Sequence, residues 1–514
     1  MLNCHMIKEI MRGEKTNEHA RADHGRRIVH RYVRRNAAGA ERGKETDDRL
    51  QRYCPDTLEE RLRMNLSDNK QFNKELMALA VPLALQNLLN ALVGASDALM
   101  LGRLNQDAIA AVSLANQVSF VMSLFNGAVI GAVGVLVAQY WGKKDDTNAR
   151  RFLGMAIRYA AGISFIFFLL AFILPEKLMG ILTPEPELIR IGGEYLRIVS
   201  FSYLFAGVSQ CFLMMMKVTD YAKMSLWISA VTVMVDMTVD FFLIYGIGPF
   251  PRLEANGSAY STIAVEAIAL IICLIWAQRK KEIRLDRKTL FFFSKAYEKD
   301  AWKIIPGMLA SSLSWGLSMT MHSFILGHLG TDATAANSVT SVAQQLIQCL
   351  TQGLASGLGI MIGQQLGKNQ MDKAKEYGER SWRVAFWSGL INVGLVCIVG
   401  PLVYVFYVLE PQAKSYLLFM LIYSAFYLFA LSYNAVFTCG VFPAGGDSKY
   451  DAISVFFATW CFAIPLSLLG CFVFHWPVLA VYAVMCMDEI VKVPFISLRY
   501  NKYLWLKNLT RENV

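Results

Sequence analysis

From Glu75 to the C-terminus, apolar stretches recur that are long enough to cross a bilayer, about 20 residues each, with little sequence between them. Twelve such segments fall at roughly 76–101, 113–140, 152–174, 188–216, 224–246, 257–278, 301–328, 338–366, 381–405, 411–442, 449–473 and 477–500. Composition agrees. The chain is 55% hydrophobic and 18% charged, with a mean hydropathy of +0.37, which is too apolar for a soluble globular protein of 514 residues. The expected fold class is an all-α integral membrane protein of twelve transmembrane helices.

The loops test that count independently. With the N-terminus cytoplasmic, inner loops carry twenty Lys and Arg, among them Lys143, Lys144, Arg284 and Lys368, and outer loops carry four: Arg103, Lys177, Arg252 and Lys414. The positive-inside rule then places both termini in the cytoplasm, in a cell inner (plasma) membrane. Arg190 and Arg197 sit near an outer end, with Glu194 placed to pair with Arg197 at i,i+3. The net charge of +10 needs no nucleic acid, since membrane proteins of this kind accumulate Lys and Arg in their inner loops. The ten cysteines show no metal-like spacing.

Residues 1–70 differ. They are charged, mixed in sign and without apolar periodicity, and they are expected to form a disordered basic cytoplasmic leader; Met64 looks like a natural start. The expected layout continues with an N-lobe at 71–278, a cytoplasmic linker at 279–300, and a C-lobe with a short tail at 301–514. This division rests on an internal repeat. LGRLNQDAIAAVS (101–113) matches LGHLGTDATAANS (326–338), and the same shift of 225 lays Gly134, Gln139, Gly142 and Lys143 onto Gly359, Gln364, Gly367 and Lys368. Two six-helix copies of one orientation are related by an axis along the membrane normal, as in transporters that rock two lobes about a central site.

An ionisable side chain at a helix centre costs at least about 2.5–3.5 kcal/mol on insertion scales, so each deep acid needs a reason. Asp97, Asp236, Asp240 and Glu266 all fall in the first half; the second half offers His322 and no acid where segment five has two, so one lobe alone is expected to carry the acid cluster. Asp236 and Asp240 are four residues apart, which puts them on one helical face with Cβ atoms about 5–6 Å apart. Two carboxylates so placed cannot both ionise cheaply. They tend to retain a proton near neutral pH and release it when a cation or an opened aqueous path changes their surroundings. The bland alternative is that these acids stay protonated and complete polar networks with Thr238, Asn126 or Gln86. GQQLGKN (363–369) has the wrong spacing for a phosphate loop, and HExxH and GxSxG are absent. No enzyme and no cofactor is expected.

Taken together, the twelve spans, the repeat, PLALQNLLNALVGASDALMLGRLNQDAIAAVSLANQ, GQQLGKNQMDKAKEY and FPAGGDSKYDAI resemble the MATE multidrug and toxic-compound extrusion family over about residues 72–508, and within it the DinF-like branch. The resemblance implies two six-helix lobes around a cleft and export of organic cations, by a monomer, in exchange for H⁺ or Na⁺. It implies that Asp97 and Asp240 match the acids of helices one and five, and that Thr262 matches a helix-six threonine associated with cation coordination, making Asp97, Asp240 and Thr262 candidate Na⁺ ligands. Asp236, Gln86 and Asn126 complete the expected ion-coupling and substrate site. Two departures put the ion in doubt: Asp236 stands where the family motif has Asn, and Phe241 where Pro commonly follows. The alternative function is a flippase for a lipid-linked oligosaccharide or another lipid-like substrate, which would want a cleft rich in Arg and Lys.

Overall fold

Twelve long helices carry the apolar spans in the computed structural model, which describes residues 58–102, 106–246, 251–280, 283–406 and 409–511. They are α1 (Leu58–Gly102), α2 (Gln106–Gly142), α3 (Asp146–Ile173), α4 (Pro186–Val218), α5 (Ala222–Tyr245), α6 (Ala255–Arg279), α7 (Lys295–His328), α8 (Thr331–Gly367), α9 (Met371–Phe406), α10 (Pro411–Ala444), α11 (Ser448–Phe472), and α12, in two pieces (Val478–Met485 and Met487–Tyr500). Two short helices, Pro175–Leu182 and Arg287–Leu290, precede α4 and α7. No strand occurs among the described residues.

Among the described residues, ten helices are long and apolar enough to span a membrane on their own. The exceptions among the expected twelve have physical causes. α7 opens with Lys295, Glu298, Lys299, Asp300 and Lys303 and continues through a serine-rich stretch. α12 breaks at Cys486 and carries Asp488, Glu489 and Lys492 immediately afterwards. Both are nonetheless continuous enough with their neighbours to complete the second six-helix set.

The chain divides into two units, Met1–Glu75 and Leu76–Val514. The described part of the first is helical from Leu58, inside the stretch expected to be disordered, and there Gln71 donates to Glu75 (2.9 Å). Residues 1–57 of the expected leader lie outside the described residues.

Within the second unit the repeat is visible as packing. α2, α3 and α4 pack on one another, and α8, α9 and α10 do the same. The two sets meet across a seam where α2 packs on α7 and α8. Small residues permit the approach: a Cβ on Gly353 of α8 would lie 2.6 Å from the α1 backbone at Ala84. The linker is anchored in the first lobe by Tyr297, whose ring lies 5.2 Å from Phe152 and 6.4 Å from Tyr140, with all three rings fully buried. Aromatic pairs at this distance add about 0.5–1.5 kcal/mol each beyond the area they bury. At the N-terminal end of α4, Arg190 bonds Glu187 (2.6 Å) and Glu194 (3.3 Å), so Glu194 pairs with Arg190 and not with Arg197 as its spacing suggested.

At the lysine-rich end the lobes are shut against each other. A Cβ on Gly142 would overlap the backbone of Gln364, and one on Gly367 would overlap that of Gln139. These are the four positions the 225-residue shift pairs, so α2 and α8 cross at the pseudo-twofold axis. Residues 501–511 then cross the seam. Trp505 is fully buried beside Gly378 and Gly445 of the second lobe. The Gln139 amide donates to the carbonyls of Ala444 (2.7 Å) and Lys507 (3.2 Å) and accepts from Leu509 N–H (2.6 Å). Lys143 donates to the Arg511 carbonyl (2.7 Å), and Arg511 makes a two-pronged ion pair with Asp300 (2.6 and 3.1 Å).

Candidate functional site

α5 is built with two faces. Ser229, Val233, Asp236, Asp240 and Ile244 form its buried stripe, while Trp227, Met234 and Phe241 on the opposite side are exposed where lipid would lie. That spacing follows the helical repeat, so both aspartates point inward. α1 brings Asp97 to the same place. Carboxylate oxygens of Asp97, Asp236 and Asp240 all lie within 4.8 Å of one another.

Carboxylates this close in a buried space repel one another, so the site favours taking up a positive charge, whether a proton or a metal cation. Oδ1 of Asp97 and Oδ1 of Asp240 are buried with no hydrogen-bond partner. An orphaned acceptor in a buried site is costly, about 1–3 kcal/mol, and it is a place for a donor or a cation. Asp236 is better satisfied: its Oδ1 accepts from the Ser261 hydroxyl of α6 (3.2 Å). Three hard oxygen donors in one buried space suit a hard cation such as Na⁺ as well as a proton.

The other expected residues take different partners. Gln86 donates to Ser229 (2.6 Å), seven residues before Asp236 on α5. Asn126 donates to Ser164 (3.1 Å) of α3. Thr262 donates to the Ser258 carbonyl (2.9 Å), and Thr238 to the Met234 carbonyl (2.7 Å). Among the described residues none of these four hydrogen bonds reaches the acids, so the polar network proposed as the bland alternative is not the one present. Glu266 of α6, half-buried, accepts from Ser209 (3.1 Å).

One contributor to the acid site was not foreseen: Ser261, beside the expected Thr262, is the hydroxyl that reaches Asp236. The expectation of a single acid-bearing lobe is also corrected. In the second lobe Asp488, Glu489 and Lys492 are buried. Lys492 pairs with Glu489, Asn434 donates to the Glu489 carboxylate (2.7 Å), and Ser311 donates to Asp451 (2.6 Å). α10 and α11 turn into π-helix beside this cluster, at Val436–Val441 and Phe456–Ala463, a distortion frequent at functional sites. These acids sit at the start of α11 and just past the break in α12, not at the repeat equivalents of Asp236 and Asp240, which is why matching the halves overlooked them.

Comparison with known proteins agrees with this architecture. The chain is similar to the Bacillus subtilis transporter YisQ, with 20% identity over 84% of this chain and 95% of that one. It is also similar to the multidrug resistance protein PmpM of Pseudomonas aeruginosa, with 21% identity over 76% and 83%. A MOP superfamily transporter from Pyrococcus furiosus superposes with a TM-score of 0.76 at 15% identity, covering 84% of this chain and 96% of that chain. An outward-facing multidrug resistance MATE transporter superposes with a TM-score of 0.75 at 16% identity. The MatE family profile matches residues 82–242 and 306–469, one block in each lobe, and the chain is therefore a multi-pass membrane protein that belongs to the MatE family.

Proposed function

We propose that the protein is a secondary active antiporter that exports amphipathic organic cations in exchange for H⁺ or Na⁺, by rocking its two lobes between states open to either side of the membrane. The observation that carries this reading is the convergence of Asp97, Asp236 and Asp240 within 4.8 Å, with Oδ1 of Asp97 and Oδ1 of Asp240 buried and unpartnered. A metal cation entering this site takes up the free oxygens and displaces any proton bound there; a proton entering does the reverse. Either exchange changes the charge that the first lobe presents to a substrate cation, and no bond of the substrate is altered. The names of the relatives, multidrug resistance proteins and transporters, support the same substrate class. A flippase for lipid-linked sugar is less well supported, because the buried Lys492 that could hold its phosphates is already paired with Glu489.

Efflux of a fluorescent organic cation from inverted vesicles, under separately imposed H⁺ and Na⁺ gradients, tests the reading. Uphill movement under at least one gradient is expected, and movement under neither would exclude secondary coupling.

The lysine-rich end faces the cytoplasm in this reading, in a plasma membrane. Arg252 and Arg284, both exposed, lie at opposite ends. A membrane-impermeant thiol reagent is expected to label Arg252→Cys and to spare Arg284→Cys in intact cells; the reverse pattern would invert the topology.

A further inference from the structure

We propose that the seam at the lysine-rich end binds a phosphate-bearing anion that bridges the two lobes and holds that end shut. α2 and α8 finish at Gly142 and Gly367, and the residues that follow are related by the same 225-residue shift: Lys143 with Lys368, then Lys144 with Asn369. Lys144 (φ 62°) and Asn369 (φ 59°) both adopt the left-handed conformation, so the two helices end in the same turn. Between the turns is a cavity of about 630 Å³, lined by these residues and by Asn508 and Thr510 of the tail. That volume lies in the range of small-molecule sites.

Among the described residues the charge lining this space is one-sided. Lys143 is held by a carbonyl, not a carboxylate. Neither Lys144 nor Lys368 forms an ion pair among the described residues. Of the nearby acids, Asp145 is committed to capping α3 through Asn148 (3.1 and 2.7 Å), and Asp300 is committed to Arg511 and Lys303. The uncharged groups are also arranged as donors. Asn508 Oδ1 already accepts from the N–H and hydroxyl of Thr510 (2.8 and 2.7 Å), which leaves its amide N–H₂ to face a ligand. A lysine following a helix C-terminus is commonly only a complement to the helix dipole. That accounts for Lys143 and Lys368 singly, but not for a concave space shared by two lobes and furnished with further donors.

Lysines from opposite lobes repel while this end is shut, and an anion between them turns that repulsion into a bridge. Because the lining comes from both lobes, the site exists only in the shut state, and a ligand selective for one state shifts the equilibrium toward it. The consequence for transport rests on the alternating-access reading above; binding itself does not. The phosphate has two possible sources, the headgroup of an anionic phospholipid or a soluble phosphate compound.

The full chain in nanodiscs of phosphatidylcholine, without substrate or ion gradient, is titrated with inorganic pyrophosphate at low salt, and in parallel is placed in nanodiscs containing phosphatidylglycerol. Saturable binding with a raised unfolding midpoint in the first arm identifies a soluble source. A midpoint already raised by phosphatidylglycerol, with no further response to pyrophosphate, identifies the lipid. In Lys144→Gln/Lys368→Gln the affinity is expected to fall at least about tenfold, the loss of two charge-assisted contacts, while Lys223→Gln/Lys288→Gln behaves as the parent. Because both lysines are exposed, the variant's own midpoint without ligand should match the parent and report that it folds. An equal response in the two double variants would reduce the effect to general charge screening and overturn the proposal, as would no response in either arm. Failure of efflux with intact binding would count against the transport reading alone.

Discussion

Asp240→Asn is expected to abolish gradient-driven export, while Asp236→Asn retains it within about threefold, a change of under about 0.7 kcal/mol in the rate-limiting barrier. The asymmetry follows from what each oxygen does. Asp240 is 1% exposed, converges with Asp97 and Asp236 within 4.8 Å, and keeps one oxygen without a partner. An amide preserves its volume but can neither bind nor release a proton, so exchange at the site ends. Asp236 instead accepts from Ser261, a bond that an asparagine oxygen also accepts, and its substitution removes a neighbouring charge while leaving Asp97 and Asp240 in place. Asp97→Asn should behave like Asp240→Asn, since Asp97 holds the other buried carboxylate oxygen without a partner. The measurement is efflux against pH and Na⁺, at equal amounts of folded protein. Equal loss in both helix-five variants would make Asp236 and Asp240 one indivisible unit, and equal survival would return both to a structural role.

How far the sequence foretold this site differs from one residue to the next. The spacing of Asp236 and Asp240 at i,i+4 is local, and periodicity alone places both on one buried stripe. Bringing Asp97 to them is a contact across helices some 140 residues apart in the chain, which no window of sequence encodes; it rested on family resemblance. Ser261 was missed for the same reason, because in its own segment it reads as an ordinary small residue. The second lobe shows a different failure. Asp488, Glu489 and Lys492 were absorbed into an apolar span because the flanking residues are apolar, yet they sit just beyond the break at Cys486, where a buried ion pair is tolerated. Spans of uniform apolar character, such as those of α2 and α8, were legible throughout.

Trp505→Ala is expected to destabilise the protein by about 3–5 kcal/mol, the range for truncating a buried aromatic, although Trp505 falls in what the sequence presents only as a short tail after the last span. The indole has no exposed surface. It stacks on Tyr500 with centroids 5.9 Å apart and planes 11° from parallel, and it fills a slot that only glycine at 378 leaves open, since a Cβ there would overlap the ring. With an unfolding entropy of about 2 cal/mol/K per residue, the unfolding midpoint should fall by several degrees. The loss should also propagate across the seam, because Lys507, Leu509 and Arg511 reach Gln139, Tyr140 and Asp300 only while Trp505 holds the tail in register. Arg511→Ala isolates the far end of the strap and should cost less, about 1 kcal/mol for a partly exposed pair. Burial raises the Asp300 carboxyl, but hydrogen bonds from Arg511 and Lys303 outweigh it and hold the group below the usual carboxylate range. A carboxyl lowered in the folded state contributes stability above its ordinary range and loses it as pH falls through the folded value. The parent and Arg511→Ala should therefore differ at neutral pH and converge in acid, while the Trp505→Ala deficit persists at both. Thermal unfolding of the three proteins at neutral and acid pH checks this directly: an unchanged midpoint in Trp505→Ala would show that the tail does not strap the lobes together.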